Sequence, residues 1–209
     1  MKESFQQKKI FLNYLLKLSY VTRSSISKTS SIGKFSRIDE CTFHSYSYCA
    51  SSCLIFKSNI GRYSSIAPRV KVVAGMHPLQ KLSLSSIFHG DYWSKRTRLD
   101  SLEIFSNPNL DHSKIGAFGA ITNLEEDVWI GADARILSGV KIARGSVVGA
   151  SSLVLKDTEP YSINVGIPAK KINTRFSKEK IAWLEESKWW KYSPKEVSEI
   201  FLNSPYYEY

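Results

Sequence analysis

Three observations predict an all-β fold class, a parallel β-helix of hexapeptide repeats with a long inserted loop, to which a C-terminal α-helical tail is added by the separate signals described below. Aliphatic side chains recur at every sixth position, small side chains stand four residues after nearly all of them, and the repetition is interrupted between residues 77 and 123. A period of six fits neither the period of about 3.6 residues of a helix nor the alternation of a simple strand. Stacked coils built from short strands and turns account for it.

The repeats fall into three blocks, at residues 26–43, 54–76 and 124–159. Each hexapeptide is predicted to form one short strand and a turn, so that three of them close a coil of about 18 residues. The aliphatic residue then points inward at the same place in every coil, and the small residue lies at a crowded corner. The aliphatic positions are Ile26, Ile32, Ile38, Leu54, Ile60, Ile66, Val72, Leu124, Ile130, Ile136, Ile142, Val148 and Val154.

The domain organisation follows from where this pattern starts and stops. We place the β-helix at residues 26–172, with the insertion at residues 77–123. Residues 1–25 precede it as a basic and apolar cap segment, and residues 173–209 follow it as a helical extension. A long insertion in a compact fold is usually functional, so we expect the insertion to carry part of the site.

The helical extension has recognisable start signals. Ser177 is expected to cap its first helix, and a second helix is expected to begin at Ser193 and Pro194. Trp189 and Trp190 are expected to anchor the extension by packing.

Composition and charge exclude several classes of protein. Hydrophobic residues make up 43% and charged residues 23% of the chain, as in an ordinary soluble globular protein. The net charge of +10 suits an anionic partner such as a phosphorylated cofactor, a glycan or a membrane surface. Without a basic run or an aromatic and basic RNA motif, nucleic acid is not predicted as a partner.

Cysteine and histidine usage argues against a disulfide framework and against a structural zinc site. Cys41, Cys49 and Cys53 lack CxxC spacing, and no histidine pair stands at zinc-finger distance. We therefore interpret the cysteines as small residues of the coil and expect a reducing compartment, which predicts a cytoplasmic protein.

The N-terminal segment allows two interpretations. Its apolar stretch is interrupted by Asn13 and Lys17, so neither a transmembrane helix nor a secretory signal is predicted. Lys8, Lys9 and Lys17 flank apolar residues that would suit an amphipathic helix, which predicts peripheral membrane association through residues 1–20 at the inner face of the membrane. The alternative is a helix that caps the end of the fold.

Several stretches resemble one known family. Residues 128–140, 148–152 and 160–169 resemble the C-terminal half of the hexapeptide-repeat acyltransferases. Residues 60–68 and 75–78 are similar to the branch that holds the hexapeptide-type chloramphenicol and streptogramin acetyltransferases and many bacterial polysaccharide O-acetyltransferases. The acidic stretch at residues 124–127 departs from the glycine-containing turn more usual in that family.

The resemblance implies that the β-helix is left-handed. It also implies a homotrimer with acetyl-CoA bound between subunits, at active sites shared across the interfaces, with no metal required. It implies that His77 is the general base, which suits its place at the head of the insertion, because a neutral imidazole can take a proton from an acceptor hydroxyl. It further places Ser83 and Phe88 near the acceptor, with Tyr46 and Tyr63 contributed by the adjoining subunit.

The resemblance also implies a strip of cofactor-binding residues. Lys170, Lys171 and Arg175 would face the phosphates, although a solvated basic corner is the plain alternative. The complete strip comprises Trp129, Gly131, Ala150, Ser151, Gly166, Pro168, Lys170, Lys171 and Arg175.

We interpret the protein as an O-acetyltransferase that moves acetyl from acetyl-CoA to a sugar hydroxyl of a bacterial capsule or lipopolysaccharide. Tyr92 and Trp93 in the insertion supply the aromatic faces on which sugars are commonly held. Acetylation of chloramphenicol or streptogramins is the alternative. A metal-dependent carbonic-anhydrase-like β-helix is a second alternative, which needs three converging histidines, and the spacing of the four histidines does not obviously allow this. A non-catalytic scaffold is a third.

Overall fold

The computed structural model describes residues 18–73, 82–83 and 120–207. Two compact units are distinguished, one formed by Met1–Val73 with Ile121–Tyr209 and the other by Ala74–Ala120. The described strands of the first unit are β1 Tyr20–Thr22, β2 Ser25–Ile26, β3 Ser31–Ile32, β4 Arg37–Phe43, β5 Tyr48–Cys49, β6 Leu54–Ile60, β7 Ser65–Ile66, β8 Lys71–Val73, β9 Thr122–Leu124, β10 Trp129–Ile130, β11 Arg135–Leu137, β12 Lys141–Ile142, β13 Val147–Val148, β14 Leu153–Val154, β15 Ser162–Gly166 and β16 Ala169–Thr174.

The strands stack in parallel into three faces, which confirms the predicted left-handed β-helix. Face 1 contains β1, the first half of β4, the first half of β6, β8, β11 and β14. Face 2 contains β2, the second halves of β4 and β6, β9 and β12. Face 3 contains β3, β5, β7, β10, β13 and β15. The corners between them are called corner 1/2, corner 2/3 and corner 3/1.

The interior is filled as the periodicity predicts, with one correction. Ile38, Ile60, Ile66 and Ile130 are fully buried, and small residues are buried at the corners. In the second block, however, Ile55 and not Leu54 points into the core. The expected spacing of six slips by one residue at this point.

The slip arises at corner 1/2, where the early coils turn with one residue fewer. Inward residues on either side of this corner are five apart, as in Ile38 and Phe43, so successive residues of face 3 such as Ser31 and Tyr48 are 17 apart. The expectation of about 18 residues per coil is therefore wrong for this part. Here β4 and β6 run through the corner as single strands, with Glu40 and Lys57 in the left-handed backbone region.

The insertion leaves the register of the coils intact. The chain leaves face 1 after β8 and re-enters face 2 at β9, so the interruption falls at corner 1/2. Ser65 and Trp129, paired across it, are 64 residues apart. Without the 47 residues from 74 to 120 the spacing would again be 17.

The three cysteines are coil residues, as expected. All are free and buried. Burial raises the pKa of the Cys41 thiol to about 11. A protonated and enclosed thiol is a poor nucleophile, which agrees with a packing role.

The β-helix ends in an antiparallel hairpin of β15 and β16, followed by a helical tail. The tail contains α1 Lys178–Ser187, a single turn of 3-10 helix at Trp189–Lys191, and α2 Pro194–Leu202. The Ser177 hydroxyl accepts from the Lys180 amide at 3.3 Å, which confirms the predicted cap. The predicted start of the second helix is confirmed as well. No helix within the described residues is long and apolar enough to cross a membrane.

Candidate functional site

Four residues of the predicted cofactor strip lie together at corner 3/1, on two neighbouring coils. A Cβ on Gly131 would lie 2.5 Å from the Ala150 backbone nitrogen, so only glycine allows the two coils to approach this closely. Trp129 projects from face 3 with 54% of its surface exposed, while Ala150 and Ser151 are exposed at the turn above. We call this stretch the donor edge.

The C-terminal hairpin extends the donor edge by one more layer. Gly166 has a φ of 103°, which favours glycine, and its amide donates to the Ser152 hydroxyl at 3.0 Å. Pro168 follows a cis peptide bond at the hairpin turn and is exposed, as is Lys170. Lys171 forms an ion pair with Glu159. Gly166, Pro168 and Lys170 thus lie next to the four residues above.

Arg175 lies elsewhere, beside corner 2/3 on the opposite edge of face 3. Its Nη1 donates to Asp127 Oδ2 and to the Gly145 carbonyl oxygen, both at 2.8 Å, and its amide donates to the Tyr161 carbonyl oxygen at 2.9 Å. The guanidinium also lies over the Phe176 ring, 4.7 Å from its centroid. The structure therefore separates Arg175 from the donor edge.

Tyr46 and Tyr63 are also at corner 2/3, both in the left-handed backbone region. Their rings stack with centroids 5.0 Å apart. The Tyr63 hydroxyl donates to the Tyr192 carbonyl oxygen at 2.7 Å, and its ring lies 5.3 Å from that of Trp189. Within its own chain Tyr63 thus contacts both Tyr46 and the tail.

An ionic network that the sequence analysis did not identify fastens the tail to the β-helix. Arg144 is central to it, since Nε donates to Glu126 at 2.9 Å and Nη1 donates to Glu185 at 2.7 Å. The Tyr161 hydroxyl donates to the same Glu185 at 2.9 Å, and the guanidinium lies 3.8 Å from the Trp190 ring centroid. The sequence held one signal for this network. Residues 125–127 are all acidic, and Arg144 follows Glu126 by 18 residues, so that stacking of one coil on the next brings the charges together.

Burial shapes the electrostatics of this network. Burial raises the pKa of Asp127 above its ordinary value, although Arg175 opposes the shift. Burial also raises the pKa of the Tyr161 hydroxyl, and Glu185 as its hydrogen-bond acceptor adds to that effect. Trp189 and Trp190 are buried, which confirms their expected packing role.

The predicted residues of the insertion are, with one exception, not among the described ones. His77, Phe88, Tyr92 and Trp93 lie outside the described residues. Ser83 is described and partly buried in the second unit. Their roles stay predictions. The metal-free chemistry also stays a prediction; within the ranges that the structure covers there is no group of three potential metal ligands.

Comparison with known proteins agrees with the fold. Residues 121–156 match the family of the bacterial transferase hexapeptide (six repeats). A chloramphenicol acetyltransferase from Klebsiella aerogenes is 49% identical over 76 residues, 36% of each chain. A probable macrolide acetyltransferase from Lysinibacillus sphaericus is 46% identical over 80 residues, 38% of this chain and 44% of that protein. The alignments thus span less than half of the length of these relatives.

Among solved structures, a variant of AntD, an N-acyltransferase from Bacillus cereus, has the same fold. It is 23% identical with a TM-score of 0.54, and the match covers 88% of this chain and 97% of that one. At this level of identity the likeness concerns the fold. Taken with the repeat match and the two relatives, the described coils confirm the resemblance of this chain to the chloramphenicol acetyltransferase branch of the hexapeptide-repeat acyltransferases.

Proposed function

We propose that the protein is an O-acetyltransferase that transfers acetyl from acetyl-CoA to a sugar hydroxyl of a bacterial surface polysaccharide, with His77 as the general base. The observation that carries the proposal is the 49% identity to a chloramphenicol acetyltransferase, in a chain whose described part forms stacked coils. The relatives support acetyl transfer as the reaction, and the acceptor is inferred from the chemistry of the insertion.

The donor edge supports the proposed binding of acetyl-CoA. Gly131 keeps the backbone of two coils in close contact, and Trp129 and Ala150 offer apolar surface beside it. Lys170 would meet the phosphates at the hairpin end, where its ammonium is exposed. Acetyl-CoA would supply the activated acetyl group.

The proposed chemistry requires one proton carrier. His77 would accept the proton of the acceptor hydroxyl as that oxygen attacks the thioester carbonyl, and it would return the proton to the departing thiolate. No covalent bond to the protein is needed. His77 is the fourth residue after β8, so it follows directly on the point where the chain leaves corner 1/2.

A homotrimer with shared active sites is part of the proposal. Tyr48, Ser65, Trp129, Val147 and Ile163 follow one another in register along the outer surface of face 3. Tyr48 is 44% and Trp129 54% exposed, and the other three are partly exposed. Large exposed apolar side chains grouped on one face, here Tyr48 and Trp129, support an interface between copies of the chain. Contact with another copy would also bring a second chain beside the donor edge.

The test combines variants of the base and of the donor edge. His77→Ala should reduce thiol release from acetyl-CoA by about two to four orders of magnitude in the presence of a glycan acceptor, while the purified protein keeps its oligomeric state. Ala150→Trp should block acetyl-CoA binding because a bulky side chain would stand on the donor edge. Ser51→Trp is the matched control, since Ser51 has the equivalent turn position in a coil nearer the N-terminus. Full activity of His77→Ala would refute the proposed base.

Acetylation of an antibiotic is the second candidate function. It is favoured by the two relatives, a chloramphenicol acetyltransferase and a probable macrolide acetyltransferase. Assays of the purified protein with chloramphenicol, a streptogramin, a macrolide and a glycan acceptor separate the candidates. Turnover of a drug at a higher kcat/KM than any glycan would replace the polysaccharide proposal.

The cellular location is proposed as cytoplasmic, with peripheral association through residues 1–20 at the inner face of the membrane. The support is the basic and apolar composition of that segment. Sedimentation with anionic vesicles should be lost on deletion of residues 1–20. Equal sedimentation with and without the segment would disprove the association.

A further inference from the structure

A cavity of about 300 Å³ lies where the tail packs against corner 2/3. Face 3 separates it from the donor edge. Its size is at the lower end of the range for small-molecule sites. It lies within the first compact unit, between the β-helix and the two tail helices.

The walls of this cavity are mainly aromatic. Trp183 meets Tyr206 edge-on with centroids 6.1 Å apart, and Trp189 meets Phe201 in the same way at 5.2 Å. Phe176 and Tyr207 complete the aromatic lining. Rings that meet at steep angles leave flat faces and positive edges available, which suits a planar apolar ligand.

The charge at the cavity is positive. Arg175 and Asp127 line it but neutralise each other through their ion pair. Lys180 also lines it, and its Nζ lies 4.9 Å from the Phe176 ring and 5.7 Å from the Tyr206 ring. Among the residues that the structure describes, Lys180 forms no ion pair with a carboxylate, and the contacts of its ammonium are with the two rings.

The wall also contains the indole of Trp189. Trp189 is 7% exposed, and its indole Nε1 is buried without a hydrogen-bond acceptor among the residues that the structure describes. A buried donor without an acceptor is unfavourable, and most such groups are satisfied in folded proteins. The burial of this nitrogen keeps it off the accessible surface of the cavity, so Trp189 contributes its ring and not its N–H to the wall.

We propose that the cavity binds a small aromatic anion, with its ring between Phe176, Trp183 and Trp189 and its anionic group at Lys180. The site is distinct from the proposed acetyl transfer and does not depend on it. Its recognition chemistry is a flat ring for the aromatic walls and a carboxylate for the Lys180 ammonium.

Two probes that share a ring and differ in charge test the proposal. Indole-3-acetate is an anion and tryptamine is a cation at neutral pH. Titrated into uniformly ¹⁵N-labelled full-length protein, indole-3-acetate should shift the assigned indole N–H resonances of Trp183 and Trp189. Tryptamine should bind at least about tenfold more weakly, because it would place an ammonium beside Lys180. Equal affinity of the two probes would overturn the proposal.

Charge reversal provides the matched variants. Lys180→Glu should invert the preference, so that tryptamine binds more tightly than indole-3-acetate. Lys178→Glu makes the same change on an exposed residue of α1 that does not line the cavity, and it should keep the wild-type preference. If Lys180→Glu fails to fold, the relative affinity of the two probes for the wild-type protein still tests whether the cavity prefers an anion. Displacement of indole-3-acetate by saturating coenzyme A would assign the probe to the donor edge and would refute a separate site.

Discussion

Replacing Arg175 with Met should weaken the packing of the C-terminal end of the β-helix rather than the binding of acetyl-CoA. The guanidinium joins three parts of the chain, the Asp127 carboxylate, the Gly145 carbonyl and the Phe176 ring. Methionine keeps the apolar stem and removes the charge and the donors. This outcome would contradict the assignment of Arg175 to the phosphates that the family resemblance implies.

The magnitude follows from the exposure of the ion pair. The side chains of Arg175 and Asp127 are each 27% exposed, so the pair is shielded from water but not fully enclosed. Removing one partner of a fully buried pair costs about 3–5 kcal/mol, and an exposed pair is worth about 0–1 kcal/mol. We therefore expect Arg175→Met to lower the free energy of unfolding by about 2 kcal/mol.

The assay is guanidinium-induced unfolding at one fixed protein concentration, because association would make the stability concentration-dependent. A double-mutant cycle with Asp127→Asn should give a coupling energy of about 1 kcal/mol or more. The loss caused by Arg175→Met should shrink as the pH falls, because the pKa of Asp127, already raised by burial, would rise further without the guanidinium and the carboxylate would become neutral.

The control is Lys170→Met, at an exposed position of the hairpin on the donor edge. It should leave the free energy of unfolding unchanged and raise the KM for acetyl-CoA. The structural role of Arg175 would be refuted by two results together. Arg175→Met would leave the free energy of unfolding unchanged, with a coupling energy of zero to Asp127→Asn, and it would raise the KM for acetyl-CoA about tenfold, a difference of roughly 1.4 kcal/mol in binding.

Three further predictions concern the coils. Gly145→Ala should destabilise the protein by about 3 kcal/mol in the same assay, because φ is +67° and a Cβ would lie 2.3 Å from the Tyr161 ring; a loss below about 1 kcal/mol would contradict this. Burial alone would raise the pKa of Glu125, but hydrogen bonds from Lys141 and a backbone amide hold this pKa below its ordinary 4.5. The ionised carboxylate therefore stabilises the folded state above pH 4.5, and this stabilisation is lost as the pH falls. Melting curves of Glu125→Gln should accordingly converge with those of the wild type in acid, and a constant gap would disprove the link. All three cysteines, including Cys41 with its pKa of about 11, should resist a thiol reagent at pH 8 and react in denaturant; fast labelling of the native protein would show that the coil opens.

The periodic part of the fold could be predicted from the sequence because each coil repeats the same physical requirement. Ile66 and Ile130 had to be aliphatic to fill the interior, and the position of Ser64 had to be small at a crowded corner. The start of the tail was equally local, since Ser177 needs only the next three residues to form its cap. Such features depend on neighbours in the sequence.

The slip of register at corner 1/2 could not be predicted, because Leu54 and Ile55 are both aliphatic and either satisfies a pattern read in sixes. Only the pairing of β6 with β4 shows that Ile55 is inward. The position of Arg175 escaped prediction for a related reason. Its partner Asp127 is 48 residues away, and the two meet only because the coils stack.

The unbroken spacing across the interruption at corner 1/2 has an evolutionary consequence. Ser65 and Trp129 pair in the same register as if residues 74–120 were absent, so the coils on either side do not depend on the length of that segment. The segment could be lengthened, shortened or replaced without a change in the strand pairing of the coils on either side. Under the proposed function, a different acceptor could therefore be acquired by changing residues 74–120, without any change in the donor edge.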